Sequence, residues 1–221
     1  MTIKTHLGVF AKYWEPGKVK TRLAEDTNDD FAANLYEAFV KTTLERLTGC
    51  AETQTLVITP SENLGDFALI LPPDWTLTSQ VEGDLGNRMQ AFFQYAIEHQ
   101  SEKTILVGTD SPTLPIQIVY KAFQILEHTD CVLGPALDGG YYLVGCCDTP
   151  PPIFQNIDWS SDQVLSQTCA ALESAGVSYD LLPPWIDIDT IDDLNSIQDY
   201  HDESSSRLCQ HIDALKTEYL G

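Results

Sequence analysis

The sequence predicts an open α/β sheet. Short apolar runs alternate with longer stretches of helical periodicity, and the run KTILVGTD (103–110) is rich enough in Val, Ile and Leu to be buried on both faces of a sheet. At 221 residues, 43% of them hydrophobic, the chain is long enough to bury one continuous core, so a single domain over 1–221 is expected.

Each element follows from its local pattern. LGVFA (7–11) reads as the first strand. A helix is expected from about Asp29 to Leu47, because Phe31, Leu35, Phe39 and Leu47 recur at helical spacing and Asn28 or Asp29 can cap the start. QTLVITP (54–60), TLTSQV (76–81) and the 103–110 run supply further strands, with a helix over Leu85–His99 before the last of these. Beyond Pro115 a helix carrying Ile118, Phe123 and Leu126 leads to two strand-like runs, CVLGPA (131–136) and GGYYLVGCC (139–147). The proline-rich DTPPPIF (148–154) is too short for a domain boundary and is expected to turn the chain. A helix near 162–176 and a strand near 177–182 follow, and from Thr190 the chain reads as acidic helices broken near Ser204–Ser206. Their composition favours packing on the core, although a dimer contact or a pocket cover would suit them too.

Charge narrows the function. With 12 Lys and Arg against 33 Asp and Glu, the formal net charge is −21, which disfavours nucleic-acid polymers and anionic membranes. No run approaches a membrane span or a signal peptide, and the six cysteines form no zinc-type spacing, so a cytoplasmic protein with reduced thiols is expected. Against this background, Lys12, Lys18, Lys20 and Arg22 gather in one short stretch around the Pro16-Gly17 turn, where they could offset the charge of a di- or triphosphate.

Four other clusters fall at predicted strand ends, where ligands of open α/β sheets bind. GDLGNRM (83–89) offers Gly83, Asp84, Gly86 and Arg88, either a nucleotide-contacting turn or an ordinary helix cap. Asp110 closes the fourth strand and could face a ligand or cap a turn. Asp187 and Asp189 in WIDIDT share one face of an extended segment, so a cation or donors must neutralise them, and with Asp110 they could form a three-carboxylate metal site; Asp189 or Thr190 could instead cap the next helix. In GPALDGGYYLVG, Asp138, Gly139, Gly140 and Tyr141 suit a substrate-facing floor better than a plain hairpin. The five histidines have no ligand spacing, and serine-hydrolase, P-loop and dinucleotide fingerprints are absent.

Taken in order, GKVKTRL, GDLGNRM, VGTDSPTL, VLGPALDGGYYLVG and DIDT resemble a bacterial glycosyltransferase-like family within the nucleotide-diphospho-sugar transferase superfamily. The resemblance implies a GT-A-like fold, with a mixed, mostly parallel central sheet flanked by helices. It implies that Lys20 and Arg22 meet phosphate, that Asp110, Asp187 and Asp189 hold Mg²⁺ or Mn²⁺, and that Asp138-Gly139-Gly140-Tyr141 lines the substrate pocket. Lys20, Arg22 and Asp138 are then the catalytic candidates, and Lys12, Gly17, Lys18, Lys20, Arg22, Gly83, Asp84, Gly86 and Arg88 the nucleotide-binding ones. The sequence lacks the glycine-rich opening of sugar-nucleotide pyrophosphorylases, and Thr109-Asp110 stands where many GT-A enzymes carry D-x-D. KTRL also resembles a stretch of small-molecule guanylyltransferases.

The expected function is metal-dependent transfer from a nucleotide-activated sugar to an acceptor, releasing a nucleoside diphosphate. Nucleotidyl transfer releasing pyrophosphate and nucleotide binding without turnover are the alternatives.

Overall fold

The computed structural model describes residues 4–147, 153–197 and 203–221. Seven strands form one sheet: β1 (Thr5–Lys12), β2 (Thr53–Thr59), β3 (Trp75–Ser79), β4 (Lys103–Val107), β5 (Cys131–Pro135), β6 (Tyr141–Cys147) and β7 (Tyr179–Leu181), in spatial order β3-β2-β1-β4-β6-β5-β7. All adjacent pairs are parallel except the two made by β6, which runs antiparallel to both β4 and β5. The sheet is therefore mixed and mostly parallel, as the family resemblance implies.

Among the described residues eight α-helices accompany it: α1 (Thr21–Asp26), α2 (Asp29–Leu47), α3 (Leu64–Ile70), α4 (Leu85–Glu98), α5 (Ile116–Ile125), α6 (Val164–Ala175), α7 (Ile191–Ser196) and α8 (Glu203–Tyr219). Asn28 caps α2 by accepting the Phe31 N–H at 2.8 Å. Alternation along β1 sends Leu7 and Val9 to one face, against Val40 and Leu44 of α2 and Val119 of α5. The opposite face of the sheet, through Val57, Leu106 and Val144, packs on Met89 and Phe93 of α4 and Leu172 of α6.

Helix α2 is apolar on a second side as well. Phe31, Leu35 and Phe39 turn away from the sheet and meet Leu208, Ile212 and Leu215 of α8, so the acidic C-terminal segment packs on the core through an amphipathic face. The expected break at Ser204–Ser206 is corrected: those serines lie inside α8, where Ser205 is buried and accepts from the Arg46 guanidinium at 3.2 Å. Packing on α2 outweighs the weak helix propensity of three serines. Two short helices, α1 and α3, escaped the periodicity reading because each spans fewer than two turns of clear pattern. Residues 148–152 of the proline-rich segment lie outside the described residues. Among the described residues, no helix is long and apolar enough to cross a membrane.

The chain proceeds from β1 outward to β2 and β3, then returns to place β4 on the other side of β1. The carboxyl ends of β1 and β4 therefore flank the point where the winding reverses, and open α/β sheets hold their ligands there.

Candidate active site

At that reversal point one side chain ties the two strand ends together. Tyr36, buried on α2, accepts the Lys12 N–H at 3.1 Å, and its hydroxyl lies 2.7 Å from Thr109 Oγ1, just beyond β4. Beside this tie runs a groove of about 330 Å³, walled by Phe10–Lys12 of β1, Thr59, Gln80, Leu85 and Arg88 of α4, Gly108–Asp110 and the first half of β6. Its cations are Lys12 and Arg88. The Arg88 guanidinium is braced by Gly83 O and Gln80 Oε1, each at 3.0 Å, and Lys12 Nζ donates to the Lys18 carbonyl at 2.6 Å. Phe10, Leu85 and Met89 give the same groove an apolar surface.

A second cavity of about 650 Å³ opens alongside, sharing Leu85, Asp110 and Tyr141 with the groove. Asp110, Asp138, Asp162, Asp187 and Asp189 line it, with Arg22, Trp159, Ser160 and Ser161. Asp138, which lines the cleft, accepts the Gly140 N–H on Oδ1 at 2.9 Å in a local turn. Gly139 sits at φ 92°, and a Cβ there would run into the Asp162 backbone, so glycine is required for the hairpin to lie against the loop that brings Trp159 and Asp162 to the site. Ser111 Oγ lies 2.5 Å from Asp187 Oδ1, and the Ile188 N–H donates to Asp110 O at 2.9 Å, so the segment before α7 is clipped to the loop after β4. Burial pushes the Asp187 carboxyl up to about 6; the Ser111 hydrogen bond opposes the shift, and nearby Asp110 and Asp138 add to it. Thr190 caps α7 in a reciprocal pair with Asp193, which leaves Asp187 and Asp189 both facing the cleft.

Lys20, which the resemblance places at phosphate, lines neither cavity. Its side chain is only 2% exposed, its ammonium pairs with Asp110 and with Asp189 Oδ1 at 2.9 Å, and it lies 6.0 and 5.7 Å from the ring centres of Tyr36 and Phe39. Burial alone would lower its basicity, but the two carboxylates outweigh that and raise it, so Lys20 is a fixed cation at neutral pH. Arg22 lies in the acidic cleft rather than the groove, its side chain 72% exposed and 3.9 Å from Asp189 Oδ2. Gly17 and Lys18 occupy the exposed turn between β1 and α1 and line neither cavity.

The GDLGNRM turn divides in the same way. Asp84 is the N-cap of α4, accepting the Asn87 N–H at 2.8 Å. Gly83, Asp84 and Gly86 line neither cavity, whereas Leu85 and Arg88 do. The close approach expected at Gly86 is made by the protein itself: a Cβ there would meet the Phe154 carbonyl and, at 2.9 Å, the Trp159 ring.

Among the described residues no three His, Cys, Asp or Glu side chains converge on one point. Two of the three candidate carboxylates instead share the Lys20 ammonium, which stands where a positive charge is needed. Hard carboxylate oxygens on the cleft side nonetheless suit Mg²⁺ or Mn²⁺, because Mg²⁺ commonly takes only one or two carboxylates and completes its shell with phosphate and water.

Sequence reasoning missed Tyr36, Gln80, Trp159 and Asp162. Only Trp159, an aromatic residue in a polar stretch, carried a signal that could have found it.

Solved structures share this fold. A crystal structure from Desulfovibrio desulfuricans G20, described provisionally as a nucleotide-diphospho-sugar transferase, is 34% identical, covers 99% of both chains and superposes with a TM-score of 0.88. A cytidylyltransferase from Leptospira borgpetersenii shares the fold at 13% identity, covering 99% of this chain and 97% of that one, with a TM-score of 0.59. The inositol-1-phosphate CTP transferase of T. maritima does so at 17% identity over 93% and 96% of the two chains, with a TM-score of 0.55. No curated protein matches the chain. Residues 43–161 match the family model described as uncharacterized protein conserved in bacteria (DUF2064), and with the full-length likeness to the Desulfovibrio protein the chain belongs to this bacterial family and has the nucleotide-diphospho-sugar transferase fold.

Proposed function

We infer that the protein is a nucleotide-dependent transferase that moves a sugar from a nucleoside diphosphate to an acceptor with the help of Mg²⁺ or Mn²⁺. The observation that carries this reading is the junction at Asp110, where a groove bearing Lys12 and Arg88 opens into a cleft bearing Asp138, Asp187 and Asp189. An anionic nucleotide suits the first compartment, and the charge reversal at its mouth suits the point where a diphosphate ends and the transferred group begins. The description of the Desulfovibrio relative supports the same class.

In this reading the apolar wall of Phe10, Leu85 and Met89 takes the nucleoside, while Lys12 and Arg88 offset the charge that grows on the leaving diphosphate. Asp110 and Asp187, with Asp189 adjoining, would hold the divalent ion, which when bound supplies Lewis-acid stabilisation of the phosphate oxygens. Asp138, held on one oxygen by Gly140, accepts the proton of the acceptor hydroxyl on the other. Trp159 and Tyr141 give the acceptor cleft aromatic faces. A net charge of −21 favours a small nucleotide over a nucleic-acid polymer, and six free thiols suit a reducing cytoplasm.

Calorimetry with nucleotide sugars and nucleoside triphosphates, with and without Mg²⁺ or Mn²⁺, tests the reading. Metal-dependent binding of a nucleotide sugar is expected, followed by a nucleoside diphosphate as product in phosphorus NMR. Pyrophosphate in its place would assign nucleotidyl transfer, and tight binding with no product across an acceptor panel would leave a binding protein.

A further inference from the structure

We propose that Lys20 is a resident counter-ion for Asp110 and Asp189 that competes with a divalent cation and keeps metal binding weak in the nucleotide-free protein. The inference rests on the metal-assisted reading above. It replaces the phosphate-contacting role that the motif implies for this lysine.

The geometry is specific. Lys20 approaches the carboxylates from inside the protein, with its side chain 2% exposed, whereas Asp110 and Asp189 are 50% and 37% exposed and line the cleft. Tyr36 and Phe39 lie beside the ammonium and give it apolar walls. A buried lysine of this kind cannot retreat into water without leaving a space among packed rings. With its charge in place, Asp110, Asp189 and Lys20 together carry a net charge of −1 rather than −2, and Arg22 lies 3.9 Å from Asp189 Oδ2, so a cation entering from the cleft meets a weaker attraction than the two carboxylates alone would exert. A nucleotide phosphate supplies the ligands and the negative charge that the protein side withholds.

Manganese binding to the full-length protein, followed by electron paramagnetic resonance without nucleotide or acceptor, tests the proposal. Lys20→Met should bind Mn²⁺ at least about tenfold more tightly than the wild type, since it removes a unit charge adjacent to the site, whereas Lys20→Arg should stay near the wild type. Equal or weaker binding by Lys20→Met would overturn the proposal, as would an equal gain in Lys20→Arg. If Lys20→Met fails to fold, NMR of the Lys20 ε-methylene and ammonium signals in the wild type decides the question during a titration with Mg²⁺. Movement of those signals as the ion binds is expected, and unchanged signals at saturation would refute the competition. These titrations contain no nucleotide, so Lys20 is judged apart from turnover. Failure of the transferase reading would appear instead as no nucleotide binding in calorimetry.

Discussion

Replacing Tyr36 by Phe removes one oxygen and leaves the ring in place. That oxygen joins the end of β1 to the loop after β4, through Lys12 N–H at 3.1 Å and Thr109 Oγ1 at 2.7 Å. Tyr36 is 5% exposed and Thr109 1%, so Thr109 loses its partner where water does not reach. Lys12 lies at the edge of the groove, and its N–H recovers a water more readily. One buried hydroxyl left unpaired and one hydrogen bond exchanged for water together cost about 2 kcal/mol. For a chain of 221 residues that is about 4–8 °C in Tm. Urea unfolding measures it directly, with the midpoint expected to fall and m to stay the same. A loss below about 0.5 kcal/mol would mean that the strand ends are held by the surrounding packing, and the assignment of Tyr36 as their tie would be wrong.

Other perturbations follow the same logic. His6 is fully buried against Ser101 and Thr55, and burial lowers its pKa to about 4. The unfolded chain therefore takes up this proton first, and stability present above about pH 6.5 should fall by about 3 kcal/mol as pH drops towards 4. Denaturation across that range in wild type and in His6→Gln checks it, and parallel pH profiles would refute it. Gly139→Ala, at φ 92° and against the Asp162 backbone, should cost about 1–3 kcal/mol in thermal unfolding and weaken acceptor binding by displacing Asp138. Arg88→Ala should weaken nucleotide binding about ten- to a hundredfold by calorimetry while leaving the Tm nearly unchanged, because its hydrogen bonds lie at the groove edge.

Most of the architecture was legible in the residues. Strand runs of Val, Ile and Leu, the 19-residue periodicity of α2 with its Asn28 cap, and the Gly176 stop of α6 are local signals set by steric and hydrogen-bonding preferences within a few residues. Asp187 and Asp189 share a face for the same reason, since alternation is a property of the extended backbone. Arg88, Asp110, Asp138 and Tyr141, which the motifs single out, line the two cavities. What a charged residue does was not legible. Lys12, Lys18, Lys20 and Arg22 look alike in sequence, yet one enters the groove, one stays in an exposed turn, one is buried between two carboxylates from distant segments, and one reaches the acidic cleft. That division depends on where α2, the β4 loop and the segment before α7 meet. Electrostatic pairing acts through space, so only the tertiary structure, which brings Asp189 to Lys20 across 169 residues of chain, could assign it.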